Sequence, residues 1–345
     1  MNQFEFPENK KYAWTRPCKI ISMASVLPET TLSNEQISRY QKNPLPEAMI
    51  SRMIGVQNRH IAPANMSDSD LLMGAAEECL RIAGVKIEDV SKLIVNKFLG
   101  DRILPPTASI LQRKLKSKKA IQCMDIDGGM NGFMQSFIMA AKCIQSGDEN
   151  ILIVSGGICN DLISRENQRV SYLFGDGATA VLLGRSDKTH VLSHYEFSNY
   201  DYSHIFRSLD FFSAAKIGSD TLTTDPLLHD MYNMENWKEA SSFILQALGH
   251  TVECLLESAQ CSFEEIDYFI VTEINRPVWE NIINHLNIQS HKTISLLQQQ
   301  GNTLTANLPM LLVNLDKKVS LQPGQKVMIL SIGEGLCGGG CIYQK

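Results

Sequence analysis

The chain has 345 residues, of which 44% are hydrophobic and 20% charged, with a formal net charge of −5 at pH 7. That length supports one large α/β body or two domains with a substantial core, and the mild acidity gives no general pull toward nucleic acid or acidic membrane surfaces. Nine cysteines occur without a CxxC pair, and several sit in apolar segments where a thiol behaves as a small hydrophobe, so a reducing, cytoplasmic setting is expected.

The first 16 residues are polar and aromatic, unlike a secretory leader. No run of about 18 apolar residues, the length of a membrane-spanning helix, follows anywhere. Residues 78–95, ECLRIAGVKIEDVSKLIV, read as the end of an amphipathic helix, a linker, an acidic pair and a strand. The basic cluster Arg113, Lys114, Lys116, Lys118 and Lys119 reads as a solvated loop or helix end. At 121–137, IQCMDIDGGMNGFMQSF, a strand breaks at Gly128–Gly129 and a helical pattern starts at Phe133. Small residues permit so sharp a strand–turn–helix bend, on which enzymes mount nucleophiles. Its apex is Met130, and a thioether cannot attack a carbonyl.

Residues 253–271, ECLLESAQCSFEEIDYFIV, repeat the pattern of 78–95 at an offset of 175, which becomes 176 from Glu88/Glu264 onward. ILIVSGG at 151–157 and VMILSIG at 327–333 share the offset of 176. A common offset at two places predicts a duplicated α/β unit whose strands are buried on both faces. The halves are expected at 1–185 and 235–345. Between them, 186–234 opens with a strand-like HVLSHYEF and is otherwise rich in Ser, Asp, His and Tyr, which reads as an insertion or cap.

Four segments resemble the β-ketoacyl-ACP synthase III-like ketosynthases of the thiolase fold: MISRMIGVQNRHIA at 49–62, LFGDGATAVLLG at 173–184, GNTLTANLPMLL at 301–312 and SIGEGLCGGG at 331–340. They are collinear over nearly the whole chain. The resemblance implies duplicated α/β halves in a layered α-β-α-β-α arrangement. It also implies chemistry by a cysteine that accepts an acyl group, with a histidine and an asparagine that stabilise an enolate. The family's cysteine motif falls on Asp125–Phe133 and puts Met130 at the cysteine. Its histidine motif falls on TEIN at 272–275 and puts Thr272 at the histidine, while Asn302 retains the asparagine.

Methionine has no ionisable proton, and threonine cannot titrate as histidine does. The CoA face implied by the family has changed as well. Met49 and Met53 stand at its stacking tryptophan and arginine, Arg169 lies one position from another of its arginines, and Arg276 remains in the carrier-docking helix. The resulting expectation is a non-catalytic subunit paired with an active ketosynthase in fatty-acid or polyketide-type biosynthesis. A dimer is implied, with an acyl carrier protein or acyl-CoA as the family's partners. The alternatives are an atypical acyltransferase without an acyl-cysteine, and an acyl- or CoA-binding module.

Blander roles are available to each residue. Met130 fits a plug for a vacated tunnel or plain core filler, Cys337 a structural thiol, and Asn302 an N-cap. Glu273 reads as a solvated carboxylate or the partner of Arg276, with a base role as its alternative. The eight histidines show no HxH or HExxH spacing, so neither a metal nor a resident cofactor is expected.

Overall fold

The computed structural model describes residues 4–160, 170–199 and 237–345. Its strands form a five-stranded sheet in the order β1-β7-β6-β4-β5 and a four-stranded sheet in the order β8-β11-β10-β9. The first comprises β1 (Cys18–Val26), β4 (Lys92–Lys97), β5 (Gln122–Ile126), β6 (Asn150–Gly157) and β7 (Gly177–Arg185). The second comprises β8 (Val191–Phe197), β9 (Tyr268–Val271), β10 (Lys326–Ile332) and β11 (Gly338–Gln344). A separate two-stranded ribbon joins β2 (Thr31–Ser33) to β3 (Asn58–His60).

The duplication is visible in the hydrogen-bond register. Strands β4 and β6 pair in parallel with Lys92 opposite Ile151, and adding 176 to both numbers gives the parallel pair Tyr268 and Val327 of β9 and β10. In each sheet the next strand, β7 or β11, turns antiparallel and is followed by one more antiparallel strand, β1 or β8. Strand β5 has only a vestige in the second sheet, the single bridge between Phe269 and Thr293. Strand β8, expected to open an insertion at 186–234, is therefore an edge strand of the second sheet. The second unit draws on residues well before the boundary expected at 235. Residues 200–236 of that segment lie outside the described residues.

Alternation along the strands builds the layers. On β6, Ile151 and Ile153 face the same cluster as Val327 and Ile329 of β10. Between them lie Phe133, Phe137 and Ile144 of the helix Gly132–Gln145, with Leu308, Leu311 and Leu315 of the helix Asn307–Val319. The intervening residues of β6, Leu152 and Val154, face Leu72 and Ala76 of the helix Asp68–Ala83. Their counterparts on β10, Met328 and Leu330, face Ile244, Leu248 and Leu255 of the helix Trp237–Ala259. Two sheets, one helical layer between them and one on each outside give the α-β-α-β-α arrangement expected from the sequence. No helix among the described residues is long and apolar enough to cross a membrane.

The central helical layer is packed by both sheets. Phe137 is fully buried there, 5.9 Å from the Phe133 ring and 6.4 Å from that of Tyr343 on the other sheet. Phe137→Ala should cost about 3–5 kcal/mol, because the void is walled by two sheets and cannot collapse. Guanidinium denaturation should show a lower midpoint with an unchanged slope. A midpoint within error of wild type would mean that the layers are not held together here.

Candidate functional site

The sharp bend read at 121–137 exists. Strand β5 ends at Ile126, a single 3₁₀ turn covers Gly129–Asn131, and the helix Gly132–Gln145 follows directly. Asp125 fixes the strand end by accepting from the main-chain N–H groups of Thr107 and Ala108 at 2.7 and 2.8 Å, which caps the helix Thr107–Lys114. Gly129 is at φ +51°, and a Cβ there would overlap the carboxyl of Glu334. The glycines thus serve both the turn and a close approach from the second half of the chain.

Met130 is buried, with 3% of its surface exposed. Its main-chain N–H donates to Glu334 Oε2 at 2.8 Å, and its Sδ lies 3.6 Å from Asn302 Nδ2. Asn302 is wholly buried. Its Nδ2 donates to the carbonyls of Glu273 and Ile274 at 2.9 and 3.0 Å, so this amide already has main-chain acceptors besides the Met130 sulfur. Its Oδ1 accepts from Leu304 N at 2.8 Å, but the N-caps of the following 3₁₀ turn and of the helix Asn307–Val319 are Thr303 and Ala306, so Asn302 is not the helix N-cap expected from the sequence. Its main chain is clamped to the FGDGA segment, with Asn302 N donating to Leu173 O and Gly175 N to Asn302 O.

The structure therefore brings Met130 and Asn302 together. Thr272 is also buried, but both its N–H and its hydroxyl turn to the carbonyl of Leu330 on β10, at 3.1 and 3.5 Å. Glu273 departs from expectation: it is neither solvated nor paired with Arg276. It is fully buried, accepting from Leu296 N at 3.1–3.2 Å and from Asn307 Nδ2 at 3.3 Å. Burial pushes its carboxyl up to about 7, against the pull of these donors. Arg276 is exposed and pairs with Glu280 at 2.6 Å. Cys337 donates to the carbonyl of Glu334 at 3.2 Å, and burial pushes its thiol up to about 11, as suits a structural thiol.

Of the expected binding face, Met49 and Met53 lie on the helix Glu47–Met53 and are 36% and 51% exposed. Arg276 N donates to Ile54 O at 3.1 Å, and its side chain crosses Gly55, so Arg276 and this helix form one surface. Arg169 lies outside the described residues. Grooves of about 550 Å³, walled by Lys19, His190 and Tyr343, and about 400 Å³, walled by Trp279, Ser295 and Asn314, open elsewhere; neither Met130 nor Asn302 lines them.

Two family models match the chain: 3-oxoacyl-[acyl-carrier-protein] synthase III over residues 124–200, and the C-terminal part of the same family over 256–345. The chain is 27% identical over 328 residues to the β-ketoacyl-[acyl-carrier-protein] synthase III of Nostoc sp., covering 94% of this chain and 97% of that protein. Together these matches support a β-ketoacyl-ACP synthase III-like ketosynthase of the thiolase fold. The synthase of Neisseria gonorrhoeae is likewise 27% identical, over 94% of this chain and 98% of its own. The fold agrees with that of the 3-oxoacyl-[acyl-carrier-protein] synthase III of Aquifex aeolicus, with a TM-score of 0.83 at 23% identity over 95% of this chain and 100% of that one. It agrees also with the priming β-ketosynthase of the R1128 polyketide pathway, with a TM-score of 0.86 at 20% identity over 98% of both chains.

In this ketosynthase III-like chain the residue that sequence reasoning missed is Glu334. As a residue it is half-buried, but its Oε1 is shut from solvent and has no hydrogen-bond partner among the described residues. Burial pushes its carboxyl above the usual carboxylate range, only partly offset by donors that include Met130 N–H. The available signal was an acidic residue between two glycines, at 333–335, in a loop otherwise made of small and apolar residues.

Glu273 yields a pH test. With its carboxyl raised from 4.5 to about 7, the folded chain keeps a proton that the unfolded chain releases. That contribution is fully present below the unfolded value and is lost as pH rises through the folded one. Glu273→Gln cannot ionise, so its melting temperature should fall less than that of the wild type between about pH 5 and about pH 8. Parallel pH profiles would show that Glu273 stays ionised in the fold.

Proposed function

We propose that this ketosynthase III-like chain is a non-catalytic subunit that supports an active ketosynthase partner in fatty-acid or polyketide-type biosynthesis. The observation that carries this reading is the occupancy of the elbow. Met130 supplies no ionisable sulfur, and the amide of Asn302 is already engaged by the carbonyls of Glu273 and Ile274. A condensing site needs a nucleophile and free donors aimed at the developing charge. A non-covalent acyltransferase would dispense with the nucleophile, but it would still need the donors.

The first sheet supplies a surface for the partner. Among the described residues strand β5 stands at its edge, paired on one side only with β4, and its residues are partly or fully exposed. A free strand edge is a template for a strand of another chain. Beside it, the segment leading to the helix capped by Asp125 carries Ile103 and Leu104, 75% and 77% exposed. Large side chains so exposed, next to an open edge, suit burial against a second thiolase-fold chain rather than solvent.

Co-expression with a ketosynthase from the same genome that carries an intact Cys–His–Asn set tests this. The pair should co-purify and condense, and Ile103→Glu with Leu104→Glu should weaken the complex about tenfold or more, read by titration. The chain alone should form neither an acyl adduct, by intact mass, nor a condensation product. Self-acylation or condensation by the chain alone would sink the proposal.

A further inference from the structure

The loss of the thiol is not the only thing that closes this elbow. A main-chain N–H at the start of a helix, flanked by small residues, is a ready site for an anionic oxygen. An oxyanion in such a site sits about 2.7–3.1 Å from its donor. The N–H of Met130 is in this position, and Glu334 Oε2 lies 2.8 Å from it. The carboxyl reaches in over Gly129, in space that any side chain at that residue would fill. It is aimed by the turn Glu334–Leu336, in which the non-glycine Leu336 is held at φ +48°. A residue kept in the left-handed region costs energy that the surrounding structure must supply.

The rest of the carboxyl's surroundings do not account for its burial. Oε1 has no hydrogen-bond partner, and among the described residues no Lys, Arg or His forms an ion pair with Glu334. The nearby charge of Asp127 is of like sign. A structural carboxyl in a fold is ordinarily paired or fully hydrogen-bonded, as Asp176 is here. That residue accepts from Ala62 N, Cys159 N, Asn160 N and Asn160 Nδ2 at 2.8–3.1 Å. Glu334 has only main-chain donors, its own N–H and that of Met130.

We propose that Glu334 is a resident carboxyl that occupies the Met130 amide in place of an acyl oxygen, closing the elbow by a device independent of the missing thiol. This rests on the reading of Met130 as a vacated nucleophile position. It follows that restoring a thiol alone does not restore acyl transfer, because the acyl oxygen has no free donor.

The test uses the full chain and the small acetyl thioester of N-acetylcysteamine, which needs no CoA site. In Met130→Cys the new sulfur stands at a helix start, which favours its thiolate. It would attack the thioester carbonyl, the carbonyl carbon–sulfur bond of the reagent would break, and N-acetylcysteamine would leave as the thiol with the proton the cysteine gave up. Acetylation at position 130 is followed by intact mass and peptide mapping, normalised to iodoacetamide labelling of the same site. Met130→Cys should be acetylated slowly, and Met130→Cys with Glu334→Ala about a hundredfold faster. Met130→Cys with Glu334→Gln, which keeps an acceptor oxygen on the amide, should stay at the slow rate. Equal rates for the first two variants, or a Gln variant as fast as the Ala variant, would overturn the inference. Acetylation or condensation by the wild-type chain alone would instead overturn the underlying reading of Met130.

Discussion

The carboxamide of Asn302 is the contact on which the site's geometry depends. It belongs to the loop before the helix Asn307–Val319, yet its main chain is bonded to Leu173 and Gly175 of the first half. Its side chain reaches the carbonyls of Glu273 and Ile274 beyond β9, the N–H of Leu304 and the sulfur of Met130. One buried side chain thus joins the FGDGA segment, the end of a strand of the second sheet, its own loop and the tip of the elbow. Removing it would strand two carbonyls and an N–H away from water, and each such group costs about 1–3 kcal/mol. This polar knot is structural whether or not it ever meets a substrate.

The knot can form because the two sheets bring strand ends together across a shared helical layer. The elbow follows β5 of the first sheet, and the TEIN segment follows β9 of the second. The helices Gly132–Gln145 and Asn307–Val319 fill the space between the sheets and start beside these ends. Gly132 packs so closely on Asn96 of β4 that a Cβ would overlap it. The register shared by Lys92 with Ile151 and Tyr268 with Val327 keeps both units at matching heights. Packing in the middle layer therefore sets the position of Met130 against Asn302.

What could be read in the sequence was what local pattern and spacing encode. The common offset gave the repeat, the glycines at 128 and 129 gave the bend, and the local Asx contact of Asn302 with Leu304 N spans only two residues, although the caps themselves fall on Thr303 and Ala306. The burial of Glu273 was not readable: the glutamate lies next to an arginine four residues from Glu280, and local spacing favours an exposed cluster. Its burial is decided by Leu296 and Asn307, brought in by tertiary packing 23 and 34 residues away. The contact of Glu334 with Met130 spans 204 residues and leaves no periodic trace. Strand β8 was recognised as a strand, but its partner β11 lies at the other end of the chain, so its sheet could not be assigned from its neighbours.

Under the proposed non-catalytic role, the occupied donors account for how the site stays well folded. A working acyl site must hold unpaired donors ready for a substrate oxygen, and such groups, when buried and empty, weaken the fold. In a site that takes up no acyl group, as proposed for this chain, any internal acceptor that reaches those donors is stabilising. Here the carbonyls of Glu273 and Ile274 serve the carboxamide, and Glu334 serves the Met130 amide. The two differ in kind. The carbonyls become fully paired in the exchange, whereas Glu334 leaves Oε1 buried without a partner. The carboxyl is thus the less stable of the two closures, and the one whose removal costs the fold least.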